Sequence, residues 1–181
     1  MAVAGEVLDA LELVRREHDR LDAGLATLLR ASPQAREPAA KGILRRLSGY
    51  LLAEEQCLYP ALFATLGSAT PLEPLTDHLR LKRLVAELLR MDTPEASFAA
   101  CVSNLQGRLR SYGVRQQHSL FPLMHGVFSP GELQLIGGEM QLFLGANRRF
   151  APGSAATAKA LLEAVRALLA SSAQATRPRA R

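Results

Sequence analysis

Apolar residues recur at three- and four-residue spacing along almost the whole chain, which is the period of an amphipathic helix. A first helix over about residues 5–30 places Leu11, Val14, His18, Leu21, Leu25 and Leu28 on one stripe. The stretch ASPQAREP reads as a loop, and a second helix over about 39–66 carries Ile43, Leu47, Tyr50, Glu54 and Leu58. Gly67 and Ser68 stop it, and Pro71 and Pro74 open a third helix reaching about residue 90. Its stripe is Leu75, His78, Leu81, Val85 and Leu88. Thr93-Pro94 offers a cap and a first-turn proline to a fourth helix. That helix lines up Val102, Leu105, Leu109, Tyr112 and Gln116, and ends near Phe128. No run of alternating β-branched residues competes, so the expected fold is all-α, an antiparallel up-down four-helix bundle.

Ser129-Pro130 begins a fifth segment, whose Gly137-Gly138 pair predicts a weaker or bent helix. A sixth, Ala-rich segment over about 155–170 aligns Leu161, Leu162, Val165, Leu168 and Leu169. The expected organisation is therefore a bundle with its fifth segment over 1–150, a C-terminal helix over 151–170 and a basic flexible tail over 171–181.

Composition supports a packed core: among 181 residues, 48% are hydrophobic and 22% charged, with Leu and Ala dominant. No apolar stretch is long enough for a membrane span. Glu6 and Asp9 near the start, with no basic segment before them, argue against a signal peptide, so a cytoplasmic location is expected. The net charge of +5 includes Arg177, Arg179 and Arg181, leaving +2 elsewhere. Without an aromatic-basic stripe this predicts no nucleic-acid partner. Cys57 and Cys101 form no CxxC pair and read as thiols of a reducing compartment.

An internal repeat changes the picture more than composition does. EHDRLDAGLATLLR (17–30) matches DHLRLKRLVAELLR (77–90) at seven of fourteen positions, including His18 against His78. ILRRLSGYLLAEEQCLYP (43–60) then matches LQGRLRSYGVRQQHSLFP (105–122) at Arg46/Arg108, Leu47/Leu109, Tyr50/Tyr112, Leu58/Leu120 and Pro60/Pro122. Two copies of one helical hairpin predict approximate two-fold packing, with equivalent side chains converging on one central site.

The converging stripes carry polar groups where apolar ones belong: His18, Tyr50, Glu54, His78, Tyr112 and Gln116. Tyr50 and Glu54 share a helix face at i,i+4, as do Tyr112 and Gln116. A buried glutamate without a partner costs several kcal/mol in order of magnitude, so Glu54 must be protonated, paired or on a metal. The residues alone leave two alternatives open, a metal site and a structural polar network. His118 falls off the inward face and is expected in solvent, and His125, beside Gly126, reads as a loop or helix-end residue. Glu55, next to Glu54, is expected to point outward. No phosphate-binding glycine loop, nucleophile elbow or HExxH is present.

At these residues the chain resembles the hemerythrin-like (HHE cation-binding) family, four-helix bundles that hold a non-heme di-iron centre. The family's pattern is a lone His on the first helix and His-x-x-x-Glu on the second, repeated on the third and fourth. EHDRLD and DHLRLK supply the lone histidines, and YLLAEEQCLYP and YGVRQQHSLFP fill the other slots, over about residues 8–145. The chain departs from the pattern at Tyr50 and Tyr112, which stand in histidine slots, and at Gln116, in the second carboxylate slot. The resemblance implies one iron at His18 and Tyr50, another at His78 and Tyr112, and Glu54 bridging them. It also implies a small diatomic or peroxide ligand.

Two readings of the tyrosines follow. Phenolates are hard anionic donors that favour Fe³⁺, so two His, two Tyr and Glu54 would hold one ferric ion in a protein of iron, oxygen, nitric oxide or peroxide handling. Alternatively the tyrosines fill a metal-free centre, and the bundle serves as a regulatory or partner-binding module, with a protein partner or homodimer. A third reading is an enzyme, such as a peroxide-consuming or oxygen-activating iron protein, which would need an open coordination position and a route in; nothing in the sequence specifies an organic substrate.

Overall fold

A computed structural model describes residues 7–70, 73–92 and 96–146. Helix α1 spans Ala10–Arg30 and starts where Asp9 accepts the Leu11 and Glu12 amides, 2.9 Å each, in its side chain. Only Ala31 and Ser32 separate it from α2, Pro33–Ala53. The loop expected at ASPQAREP is thus mostly helix. Ser32 caps it and Pro33 fills its first turn, where a missing N–H costs nothing, while Pro38 gives up one internal bond at an exposed turn.

The second rod does not end at Ala53. It widens into a five-residue π-turn, Glu54–Leu58, and continues as α3, Tyr59–Leu66. The fourth stripe behaves alike: α5, Ala96–Arg115, passes through a π-turn, Gln116–Leu120, into α6, Phe121–Val127. Pro60 and Pro122 follow two residues behind the last π positions. A proline ring clashes with the carbonyl four residues back and offers no N–H, and one extra residue in the turn relieves both problems. The Tyr59 and Phe121 amides accordingly donate to the carbonyls of Glu54 and Gln116, five residues back.

Gly67, at φ 55°, ends the second rod in a conformation that disfavours other residues. Helix α4 covers Glu73–Leu88. The cap expected at Thr93-Pro94 lies outside the described residues. Around the bundle, α1 packs on α2 and α5, and α4 packs on α5 and α2, so α1 and α4 stand diagonally. Among the described residues there is no strand and no helix long and apolar enough to cross a membrane.

Helix α7, Pro130–Ala146, runs without interruption through its glycine pair. Its start is a reciprocal cap in which Ser129 N–H donates to Glu132 Oε2 at 2.8 Å and Glu132 N–H to Ser129 Oγ at 3.3 Å. Gly137 answers a packing demand instead. A Cβ there would fall 2.1 Å from Leu8 O and 2.7 Å from Ala10 N, so only glycine lets α7 lie this close to the start of α1. Leu133, Ile136 and Met140 complete the contact by entering the core. The helix expected over 151–170 and the tail over 171–181 lie outside the described residues.

Candidate functional site

All six inward polar residues meet in one buried cluster centred on the Glu54 carboxylate. Each comes from a helix stripe that is otherwise Leu and Val, which is what carries it to the bundle axis. Glu54, His78 and Gln116 are fully shielded from solvent, and His18 is 8% exposed. Glu54 Oε1 accepts from the Tyr50 hydroxyl at 2.5 Å and from Gln116 Nε2 at 2.7 Å. Oε2 accepts from the Tyr112 hydroxyl at 2.8 Å and from His78 Nδ1 at 3.2 Å. Helices α2 and α4, and α5 with the π-turn that continues it, thus contribute donors to one anion, and α1 joins through His18 on Tyr50.

Counting protons fixes the remaining roles. Tyr50 spends its only proton on Glu54, so the 2.9 Å contact between its oxygen and His18 Nε2 requires His18 Nε2–H to donate. Tyr112 likewise spends its proton on Glu54, so Tyr59 donates across the 2.6 Å contact between the two phenols. His78 faces carboxylates on both sides, with Nε2 2.6 Å from Glu55 Oε1. Both its nitrogens donate, which makes it an imidazolium between two glutamates. Lys82 Nζ, 2.6 Å from the same Glu55 oxygen, supplies the second positive charge. Glu54, Glu55, His78 and Lys82 therefore sum to zero.

Burial opposes the Glu54 charge, but the His78 hydrogen bond, the two histidine charges and Tyr50 together hold its carboxyl below the usual range. Burial also opposes charge on His78, and its bonds to Glu54 and Glu55 outweigh that and raise its pKa. His18 goes the other way, lowered chiefly by burial. Burial, with the Glu54 charge next, pushes the Tyr50, Tyr59 and Tyr112 phenols well above their ordinary value.

Two residues depart from expectation. Glu55 is not directed to solvent: its side chain is 4% exposed and bonded to His78 and Lys82. Tyr59, which the helical stripes leave out, joins the cluster through Tyr112. One extra residue in the π-turn turns everything after it by roughly 100°, which swings Tyr59 toward the site, while Glu55, inside the turn, is held there by His78 and Lys82 of α4. The available signal was the proline following each Leu-aromatic pair. His118 is exposed, as expected, and His125 is exposed in the last turn of α6. Cys57 and Cys101 are free thiols.

A second ring of charges holds the histidine-bearing helices. Glu17, beside His18, takes Arg46 at 2.9 and 3.0 Å and Arg20 at 3.0 Å. Asp77, beside His78, takes Arg115 at 2.6 Å and Arg80 at 3.1 Å. Gly113 leaves room for His18, since a Cβ there would stand 2.4 Å from Nδ1.

No cluster of three or more His, Cys, Asp or Glu is placed to hold a metal among the described residues. Any cation at this centre would depend on the phenols. Gln116 Oε1 is buried without a hydrogen-bond partner. Such an orphaned acceptor costs about 1–3 kcal/mol, and a hard cation is one group that would satisfy it. The orphaned oxygen and the oxygen-rich donor set, one carboxylate and two phenols with two imidazoles, fit a hard cation.

Among solved structures, the chain is similar to a hemerythrin HHE cation binding domain-containing protein, an Rv2633c homolog, from Mycobacterium kansasii. The two share 19% identity at a TM-score of 0.67, over 78% of this chain and 88% of that one, a likeness of fold. No curated protein matches the chain. The Hemerythrin HHE cation binding domain family matches residues 9–124, most of the described bundle. A helical bundle with a family match over more than half its length settles the assignment: this chain belongs to the hemerythrin HHE cation-binding domain family.

Proposed function

We propose that this protein binds one ferric ion at the Glu54 centre and serves in the sensing or handling of iron or a small oxidant. The observation that carries the reading is the buried Glu54 carboxylate ringed by four donors, Tyr50, His78, Tyr112 and Gln116, with Gln116 Oε1 left without a partner. His18, Tyr50, Glu54, His78 and Tyr112 would hold the ion. With Tyr50 and Tyr112 deprotonated, Glu54 and the two phenolates supply three negative charges, which balances Fe³⁺. Gln116, neutral where the family carries a carboxylate, favours one ion over a bridged pair.

Bound iron would supply Lewis acidity and one-electron redox chemistry. The chain's own residues set the conditions. Burial of the three phenols excludes water, and their high proton affinity reserves the site for a strongly acidic cation. Phenolate donors stabilise the ferric state, which disfavours reversible dioxygen binding from a ferrous start. Glu55 and Lys82 lead from His78 toward the surface, Lys82 being 16% exposed.

A second reading has its own support. Without metal, Glu54 accepts four hydrogen bonds and the local charges cancel, so the cluster also closes as a purely structural network. The bundle would then be a partner-binding module.

Elemental analysis and a visible spectrum of protein from iron-supplemented cells separate the two. About one iron per chain, with an intense phenolate-to-iron band lost in a Tyr50→Phe/Tyr112→Phe variant, is the expected result. A colourless, metal-free protein whose melting temperature ignores chelators would establish the second reading instead.

A further inference from the structure

Behind the site, on the face where α1, α2 and α7 meet, lies a groove of about 690 Å³. Two helix faces of matching spacing form it. On α1 these are Leu13, Arg16, Glu17 and Arg20, and on α2 Gly42, Arg45, Arg46 and Gly49, each at i, i+3, i+4 and i+7. Leu144 of α7 and Leu8 add apolar wall. Glu17 and Gly49 adjoin His18 and Tyr50 in sequence, but neither His18 nor Tyr50 lines the groove, which does not depend on a metal at the centre.

The groove carries four arginines and is short of counter-charge. Arg16 pairs with Glu12 at 2.7 Å, and Arg20 and Arg46 share Glu17. Among the described residues Arg45 has no partner. Two positive charges remain unmatched. Arg46 uses Nε and Nη2 on Glu17, and Arg20 uses Nη1, so both keep N–H groups that Glu17 does not engage. The chain beyond Ala146 offers little relief, with seven Lys and Arg against the single acid Glu163.

The glycines are a second observation. Each costs a helix interior about 1 kcal/mol relative to alanine, yet a Cβ at Gly42 or Gly49 would meet no atom within 4 Å. Packing does not require them. Their absent side chains keep the floor between the arginines open, and Gly49 is buried while facing that empty space.

We propose that this groove binds a small phosphomonoester carrying a compact apolar group. A phosphate dianion matches the two unmatched charges, and guanidinium forks arriving from two helices suit its tetrahedral oxygens. The leucines take the apolar part, and the volume is that of a small-molecule site.

The test is calorimetric titration of the full chain at low salt with phenyl phosphate, inorganic phosphate and phenol. Saturable one-to-one binding of phenyl phosphate is expected, about tenfold tighter than inorganic phosphate, with phenol inert. Arg45→Ala, which breaks no internal pair, should weaken both phosphates by about tenfold or more, the worth of a hydrogen bond to a charged group. Gly42→Leu should reduce phenyl phosphate to the level of inorganic phosphate and leave the latter unchanged. Thermal melts of both variants check that the fold is intact. Absent saturation, or equal binding by Arg45→Ala, overturns the proposal. So does affinity that only grows with oligonucleotide length, the mark of a nucleic-acid surface, and so does binding to phosphatidic acid vesicles that phenyl phosphate cannot compete away.

Discussion

Glu54 shows how one residue forces the states of its neighbours: four donors on a single buried carboxylate leave each of them only one way to place its proton. The three tyrosines are the only ones in the chain, so their titration is directly visible. Their pKa values lie well above ordinary, because burial and the Glu54 charge disfavour phenolate. A raised folded pKa contributes stability that is present below the unfolded value of about 10 and is lost as pH rises past it. Metal-free protein should therefore show no tyrosinate absorbance until it unfolds above about pH 10, in one step with the loss of helical circular dichroism. Gradual ionisation in the folded state would contradict the burial. The two site histidines should differ in sign. His78, raised, contributes stability that is full below about 6.5 and is lost as pH rises through its folded value. His18, lowered, makes the fold weaker as pH falls below about 6.5. With His18→Gln, stability of the metal-free chain should thus climb between pH 8 and 5, and with His78→Gln it should fall. Parallel slopes in denaturant titrations of the two variants would refute the proton placement.

Among the elements, the π-turns decide what reaches the centre. The helical stripes were legible in the sequence because their period reflects burial alone: the inward residues named on the first, third and fourth helices are all buried. On the second, Ile43 is half-buried and Leu44 lies deeper. What periodicity misses is a slip in backbone hydrogen bonding, which carries no hydrophobic signature. Tyr59 stays off the stripes for that reason, Glu55 is drawn inward by His78 and Lys82 of another helix, and Gly137 reads as a weak point because its reason, a backbone from another part of the chain, is not local. If Pro60 causes the first π-turn, Pro60→Ala restores both an N–H and the space for an ordinary α-turn. Tyr59 would then rotate away from Tyr112 and leave buried polar groups unpaired, at a cost of about 1–3 kcal/mol. A lower melting temperature with unchanged helix content is the expected result, and Tyr59→Phe in the same background should add little. Full additivity of the two substitutions would mean that the proline does not act through Tyr59.

At the scale of the whole molecule, the centre is held by a four-helix bundle, and α7 clamps that bundle from outside. It packs on α1, on α2 and on the π-turn that bears Glu54. Cys57 sits in this π-turn at 8% exposure, and burial, with the Glu139 charge of α7 second, pushes its thiol pKa up. The clamp rests on the closeness permitted by Gly137. In Gly137→Ala the new methyl meets the backbone of residues 8–10, which cannot step aside as a flexible side chain would. Overpacking of this kind costs about 1–3 kcal/mol, and relief comes by lifting α7. Because labelling of a protected thiol follows the population of the opened state, that cost converts to roughly ten- to hundredfold faster modification of Cys57. In a Cys101→Ser background the rate belongs to Cys57 alone, since the chain has two cysteines. A rate unchanged by Gly137→Ala would show that α7 does not guard the π-turn. A rate raised in the metal-free protein, and restored by iron, would show that the ion braces the same turn from inside.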